Sequence, residues 1–322
     1  MTYVHLHTHS HYSLLNALPK VDELVERAVR DGDTALALTD DGNLYGAIEF
    51  YKTCQDQGIK PIIGVDFYVA MRTRHDKVSG IDSRRHRLVL LAKDYRGFRN
   101  LMKLVSLSYT EGFYYKPRID HELLEEYHEG LVAILPQFSA ETSQSLKIND
   151  TTRAAESWQF YHSLFGDDCY LEILHHPESP EQSELSEKIL SFAHEHEAPL
   201  VATSDSYYLD PEDKTARDVL VDVGNVKSRA GARDDIDFSL KPSSEMEELF
   251  SDHGDAIANT QKIADACNLD LNIGDWTFPT YPIEGDRDPV EVLRERAISG
   301  FEDRGITPDE VYNKRVEYEL EV

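Results

Sequence analysis

The chain alternates between short apolar runs and longer segments with helical periodicity, and this alternation limits its possible folds more than any other feature. Residues 21–30 illustrate the helical pattern, since Val21, Leu24, Val25 and Ala28 recur on one face before Gly32. Seven apolar runs are predicted as strands, at residues 3–6, 35–39, 61–70, 88–92, 131–135, 169–174 and 199–203. Continuous apolar strands separated by helices indicate an α/β fold built from parallel βαβ units.

Both a closed barrel and an open doubly wound sheet fit this alternation. No glycine-rich phosphate loop follows a predicted strand, which counts against a nucleotide-binding open sheet. Ionisable residues follow five of the seven predicted strands, namely His7, His9, Asp40, Asp41, Asp66, Glu172, His175, His176 and Asp205. In a barrel of parallel strands these positions meet at the C-terminal mouth, where such folds carry their chemistry. We therefore predict a barrel with a site at that mouth.

The segment from His5 to His11 has a histidine at every second position. Alternate side chains of an extended segment point to the same side, so His7 and His9 can bind one Zn²⁺, Mn²⁺ or Fe²⁺ ion. Carboxylates from other strand ends, Asp66 and Asp205, can complete the ligand set. Metal ions roughly 3.5–4 Å apart activate water and neutralise a phosphoryl centre, which is phosphoesterase chemistry. The sequence assigns no catalytic nucleophile.

The composition restricts compartment and partners. Acidic residues outnumber basic ones by 60 to 33, and the net charge of −27 opposes binding to nucleic-acid phosphates. Residues 72–103 differ, with ten Lys or Arg against three Asp, and form either solvated surface or a contact with DNA or an acidic partner. No apolar run approaches the roughly 20 residues of a membrane span, no secretory signal is visible, and three scattered cysteines form no disulfide framework or zinc ribbon. We expect a soluble, cytoplasmic protein without a membrane partner.

The composition of the sequence changes after Asn268, where a segment rich in proline and aromatic residues begins. We predict one domain at residues 1–275, followed at residues 276–322 by a linker and a C-terminal helical extension. The extension is expected to contain helices at residues 290–300 and 308–322. The last helix reaches the end of the chain without a stop signal, which predicts that a longer protein has been interrupted there.

Several segments resemble those of a known family. Residues 4–15 resemble the opening motif of PHP (polymerase and histidinol phosphatase) domains. A narrower similarity, to the PHP domains of bacterial replicative DNA polymerase III alpha subunits, is carried by residues 37–51, 58–66, 90–101, 111–120, 201–205, 278–279 and 315–320. This resemblance covers essentially the whole chain. It implies a distorted seven-stranded (β/α)7 barrel related to the TIM barrel, followed by a lead-in to a polymerase core that is absent from this chain.

The resemblance also implies a set of nine metal-ligand positions, of which few are kept. His7 and His9 match the two histidines of the first motif, and Asp66 and Asp205 also match acidic positions. The other positions carry Asn16, Asp41, Arg87, Gln137 and Tyr207, and His86 could serve in place of Arg87 after a shift of one residue. We therefore expect no metal ion, or at most one or two of Zn²⁺, Mn²⁺ or Mg²⁺, bound by His7, His9, Asp41, Asp66, His86 and Asp205.

The function implied by this resemblance is that of a structural and docking platform within an alpha subunit that replicates DNA. The expected partners are the remainder of the subunit and a proofreading exonuclease, with DNA contacted only through the full-length polymerase. The polymerase aspartates lie beyond residue 322, so no polymerisation is expected of this chain alone. The alternative is a free-standing, metal-dependent PHP phosphoesterase or 3′–5′ exonuclease. The sequence assigns no nucleic-acid-binding residue.

Overall fold

The computed structural model describes residues 3–224, 236–274, 276, 279–283, 285 and 287–321. The predicted domain end at residue 275 lies outside the described residues, as do Phe278 and Val322. The chain forms two compact units, Met1–Leu271 and Asn272–Val322. No helix among the described residues is both long enough and apolar enough to cross a bilayer.

The first unit is built on a curled mixed sheet, which has seven strands in the described part of the chain. The strands are β1 Ala35–Leu38, β2 Lys60–Ala70, β3 Arg85–Ala92, β4 Arg118–Ile119, β5 Leu131–Leu135, β6 Cys169–Ile173 and β7 Leu200–Ala202. Their order is β1-β2-β3-β5-β6-β7, and β4 pairs with β2. The predicted α/β class is confirmed, and six of the seven predicted strands are present, with the unpredicted β4 as the seventh strand of the sheet.

The prediction of an all-parallel sheet is wrong at β3, which runs antiparallel to both β2 and β5. The physical reason lies in the preceding connection, since residues 71–84 contain turns and bends but no helix. A parallel return needs a crossover, usually helical, whereas a short irregular connection returns the chain antiparallel. The strand β4 was not predicted, because two residues are too few to show periodicity.

The predicted strand at residues 3–6 is not a regular strand. His5 forms a parallel bridge to Leu36 of β1, and Thr8 forms one to Ser206 beyond β7. The amide of His9 donates to the Ser206 carbonyl at 2.9 Å, and the Ser206 amide donates to the His7 carbonyl at 3.1 Å. The segment therefore ties both outer edges of the curled sheet together through isolated bridges.

Helices cover the sheet. Those of the first unit are α1 Val21–Asp31, α2 Ala47–Gln57, α3 Tyr95–Thr110, α4 His121–Tyr127, α5 Glu141–Lys147, α6 Thr151–Phe165, α7 Pro180–His196, α8 Lys214–Gly224, α9 Ser243–Leu249 and α10 Gly254–Ala266. Helix α1 buries the face predicted from its periodicity and ends at Gly32, whose φ of 84° is the left-handed conformation that favours glycine.

The interior of the curled sheet is closed at one end by α10. Ile263 and Ala264 of this helix join an apolar cluster with inward-facing strand residues such as Ile62 and Val89. Asn259 donates to the carbonyl of Leu200, the first residue of β7, at 2.8 Å. Because α10 covers the ends at which the parallel strands begin, the opposite mouth is left for polar residues.

The second unit contains α11 Pro289–Asp303 and α12 Glu310–Glu321, close to the two predicted helices. Arg294 of α11 forms an ion pair with Glu317 of α12. Among the described residues of this unit, Val292 is the one buried apolar side chain. The unit therefore has little core of its own.

Candidate metal centre

The polar residues predicted to converge do meet at one mouth of the sheet. His7 and His9 lie on the segment that joins the sheet edges, Asp66 lies on β2, and Asp205 follows β7. Asp41 follows β1 and bridges to Asp66. All five side chains are buried, so their charges and lone pairs interact with one another more than with water.

Three of these residues form a first possible metal-binding group, His7, His9 and Asp205, whose ligand atoms lie within 4.8 Å of one another. The Oδ1 atom of Asp205 is 3.2 Å from Nε2 of His7 and 3.2 Å from Nε2 of His9. Asp205 has a φ of 45°, a left-handed conformation that is uncommon outside glycine and is often found at functional sites. The backbone thus directs this carboxylate toward both imidazoles.

Each imidazole is oriented by a hydrogen bond at Nδ1, the ring nitrogen that does not contact Asp205. Nδ1 of His7 donates to Oε1 of Glu172 on β6 at 2.7 Å. Glu172 itself accepts hydrogen bonds from the backbone N–H of Gln137 at 2.9 Å and from the Thr203 hydroxyl at 2.6 Å. A carboxylate behind a histidine is the usual support of a metal-binding imidazole, because it fixes the tautomer that leaves Nε2 free. The sequence placed Glu172 at a strand end but did not identify this supporting role.

Ser13 orients His9 in the same manner. Its hydroxyl donates to Oδ1 of Asp40 at 2.6 Å, so its oxygen can accept the Nδ1 proton of His9 at 3.2 Å. Both histidines then present an Nε2 lone pair to the Asp205 carboxylate, and a cation or a proton is needed between these atoms. Burial alone would lower the pKa of His7, but Asp205 and Glu172 raise it well above the usual value. The donor set therefore fits one metal ion, and a proton on His7 can take its place.

The second group, His9, Asp41 and Asp66, is also compact. Here the guanidinium of Arg87 donates from Nη2 to both carboxylates and from Nε to Oδ2 of Asp66 at 2.9 Å. The ring of Tyr68 lies 4.3 Å from the guanidinium carbon. A positive group of the protein thus already lies between the two carboxylates, and this position does not fit a second metal ion.

The pKa of Asp41 reflects its contact with Arg87. Burial by itself would raise the pKa of Asp41, but Arg87 and His9 hold it well below its usual range. The side-chain amide of Asn16 donates to Oδ2 of Asp41 at 2.9 Å. Asp41 therefore stays ionised, with its oxygens occupied by an arginine and an amide.

The structure does not bring His86 into this cluster. Successive side chains on a strand point to opposite faces, so His86 points away from the carboxylates that Arg87 contacts. Tyr207, at which the sequence resemblance implied a family histidine, stacks flat on His9, with ring centroids 4.2 Å apart. A tyrosine ring packed in this manner supports the orientation of His9 and supplies no imidazole ligand.

Comparisons with known proteins identify the family to which the chain is similar. The PHP domain family matches residues 5–176. The chain is 38% identical over 347 residues to DNA polymerase III subunit alpha of Aquifex aeolicus, covering 99% of this chain and 30% of that protein. It is 36% identical over 329 residues to the same subunit of Treponema pallidum, covering 100% of this chain and 28% of that protein.

A solved structure from Bifidobacterium adolescentis, assigned as a metal-dependent phosphoesterase, is similar over 63% of this chain and 86% of its own, with 13% identity and a TM-score of 0.44.

The chain spans less than a third of the length of the polymerase subunits that it matches. The range matched by the family, residues 5–176, includes His7, His9, Asp41 and Asp66, whereas Asp205 lies after it. The chain belongs to the PHP domain family, and it matches the N-terminal PHP region of DNA polymerase III alpha subunits.

Proposed function

We propose that this chain is the PHP module of a replicative DNA polymerase alpha subunit and that it serves as a structural and docking platform rather than as a hydrolase. The observation that carries this proposal is the Arg87 guanidinium bound between Asp41 and Asp66. Hydrolysis of phosphate esters by metal pairs uses two ions to stabilise the attacking and the leaving oxygen. With a fixed guanidinium at the second position, the site lacks that pair.

The first position keeps the capacity for one ion. His7, His9 and Asp205 would hold it, and Glu172 would support it from behind. Two imidazoles favour Zn²⁺ or Mn²⁺ over Mg²⁺, which prefers oxygen ligands. An ion held by His7, His9 and Asp205 would supply Lewis-acid polarisation.

The partners follow from the same proposal. The remainder of the alpha subunit continues from this module, and residues 276–322 form the linker and helices that lead toward the polymerase core. A separate proofreading exonuclease docks on the module, DNA is contacted through the full-length polymerase, and the assembly works in the cytoplasm. The high similarity to alpha subunits along the entire chain supports this placement.

A second candidate function is a metal-dependent phosphoesterase or 3′–5′ exonuclease. The observation that favours it is the first group, where His7, His9 and Asp205 remain together with the support of Glu172. One ion with an activated water can hydrolyse some esters, so activity must be measured directly.

The test combines metal analysis with hydrolysis and docking. The purified chain is loaded with Zn²⁺ or Mn²⁺, its metal content is measured by mass spectrometry, and cleavage of bis-p-nitrophenyl phosphate and of a labelled DNA 3′ end is followed. We expect no cleavage that EDTA abolishes, together with a stable complex with the proofreading exonuclease encoded in the same genome. Metal-dependent cleavage that is lost in His9→Ala would favour the second candidate, and absence of a complex would contradict docking.

A further inference from the structure

A cavity of about 640 Å³ lies beside the metal centre, between the start of β3 and helices α5 and α6. Its lining includes Arg84, Arg85, His86, Arg87 and Arg153, and the described residues that line it include no acidic side chain. This is unusual in a chain with 60 acidic against 33 basic residues. The cavity is therefore a local concentration of positive charge on an acidic protein.

Two of these arginines have no carboxylate partner among the described residues. Arg84 is exposed, and Arg85 donates to the Ser83 carbonyl at 2.8 Å while its guanidinium carbon lies 5.2 Å from the Tyr68 ring centroid. Arg153 has one loose contact, 3.4 Å from Nη2 to Oε1 of Glu141. Arg87 is different, because its charge is already bound by Asp41 and Asp66. Uncompensated guanidinium groups at a concave surface are the usual means of binding phosphate or carboxylate.

His86 gives an independent indication of a ligand. Its side chain lines the cavity and the residue is only 8% exposed, yet neither ring nitrogen forms a hydrogen bond of ordinary geometry with a described residue, the Ser139 backbone being the polar group near the ring. Buried polar groups in folded proteins are nearly always hydrogen-bonded, and an unsatisfied one costs free energy. A ligand oxygen in the cavity would accept the imidazole N–H.

We propose that this cavity binds the phosphate group of a small phosphate ester, such as a nucleoside monophosphate, through Arg84 and Arg85, while His86 lines the same cavity. Its volume lies within the roughly 300–1,000 Å³ typical of small-molecule pockets. A nucleic-acid strand requires a continuous basic groove along its backbone, and the net charge of −27 opposes such binding. The observations therefore favour a single phosphate at one concave site.

The experiment is isothermal titration of the chain with 2′-deoxyadenosine 5′-monophosphate, in EDTA so that no metal ion can bind the phosphate. The variant Arg84→Gln/Arg85→Gln removes two positive charges from the cavity. The control variant Arg99→Gln/Lys103→Gln removes the same charge from exposed positions of α3 outside the cavity. Unphosphorylated deoxyadenosine and an oligonucleotide without a terminal phosphate serve as further ligands.

We expect saturable binding of the monophosphate, weakened at least tenfold in the Arg84/Arg85 variant and unchanged in the control variant. Deoxyadenosine should not bind, and the side-chain nitrogen resonances of His86 should shift with the monophosphate. Absence of saturable binding, or equal loss in both variants, would overturn the proposal. Tighter binding of the oligonucleotide than of the monophosphate would overturn the choice of a small ligand.

Discussion

At the scale of single residues, Arg87 determines what the metal centre can do. A carboxylate that stays ionised when buried needs compensation of its charge, and Asp41 and Asp66 share the same guanidinium. In a complete metal site this partner would be an ion that can leave and exchange. Here it is covalently part of β3, so its contribution to folding does not depend on metal supply.

We predict that Arg87→Met destabilises the chain strongly in EDTA, because it leaves two buried carboxylates without a counter-ion. The expected loss in the free energy of unfolding is about 3–5 kcal/mol. Urea denaturation followed by circular dichroism measures it. The matched control Arg99→Met, at an exposed position, should change stability by no more than about 0.5 kcal/mol. Equal effects of the two substitutions would show that the guanidinium is not needed there.

The raised pKa of Asp33, a residue outside the metal centre, predicts that the free energy of unfolding depends on pH. Burial raises the pKa of Asp33 to about 6, and the carboxylate accepts a hydrogen bond from Ser243. The folded state therefore holds a proton that the unfolded state releases near pH 4, so this residue destabilises the fold increasingly from about pH 4 to 6.

The variant Asp33→Asn imitates the protonated acid and should remove this effect. We expect it to be more stable than the unaltered chain at pH 7–8, by up to about 3 kcal/mol, with the difference vanishing near pH 4. Urea denaturation at a series of pH values measures the difference. A difference that stays constant over this range would mean that Asp33 titrates normally.

The sequence predicted most residues of the metal centre but not all of the contacts among them. His7, His9, Asp66 and Asp205 were predicted at strand ends, and the structure brings them together with Asp41, although Asp66 lies within β2. The sequence identified Arg87 only as a replacement at an implied ligand position, because a sequence does not show that two carboxylates are close enough to bind one guanidinium. His86 remains apart from the group because alternation along β3 turns it to the other face.

At the scale of elements, periodicity predicted where strands and helices lie better than how they connect. The helices predicted at residues 21–30, 290–300 and 308–322 and six of the seven predicted strands have counterparts in the structure. The direction of β3 was missed because it depends on the helix-free connection at residues 71–84 rather than on the strand itself. The N-terminal segment is apolar like a strand, but it is anchored by bridges at single residues on both sides.

The start of α3 provides a test of element packing. A Cβ atom added at Gly97 would lie 2.0 Å from the backbone oxygen of Gly130, so the helix approaches the β5 connection too closely for any other residue. Alanine favours helices by about 1 kcal/mol over glycine, yet we predict that Gly97→Ala lowers the free energy of unfolding by about 1–3 kcal/mol.

The control is Gly300→Ala in α11, where the nearest atom to the added Cβ is the flexible end of Arg304 at 3.5 Å. This substitution should be neutral or should stabilise α11 by about 0.5–1 kcal/mol. The two variants are compared by thermal denaturation monitored by circular dichroism at 222 nm. A stabilising effect of Gly97→Ala would contradict the close approach.

At the scale of the whole molecule, the net charge of −27 is the dominant property. Electrostatic binding to DNA requires basic groups that release counter-ions, and an acidic surface opposes it. We predict that the chain binds a labelled DNA duplex weakly by fluorescence anisotropy, and only at low ionic strength. Tight binding at about 0.15 M salt would show that the basic residues at 72–103 act as a DNA contact.

The central claim is that a guanidinium replaces a metal ion in an otherwise recognisable PHP centre. It is tested most directly by counting bound Zn²⁺ or Mn²⁺ ions per chain in the unaltered protein and in Arg87→His, which places an imidazole between the carboxylates of Asp41 and Asp66. We predict at most one ion in the unaltered chain and one additional ion in Arg87→His. Two or more tightly bound ions in the unaltered chain, or no additional ion in the variant, would contradict the account.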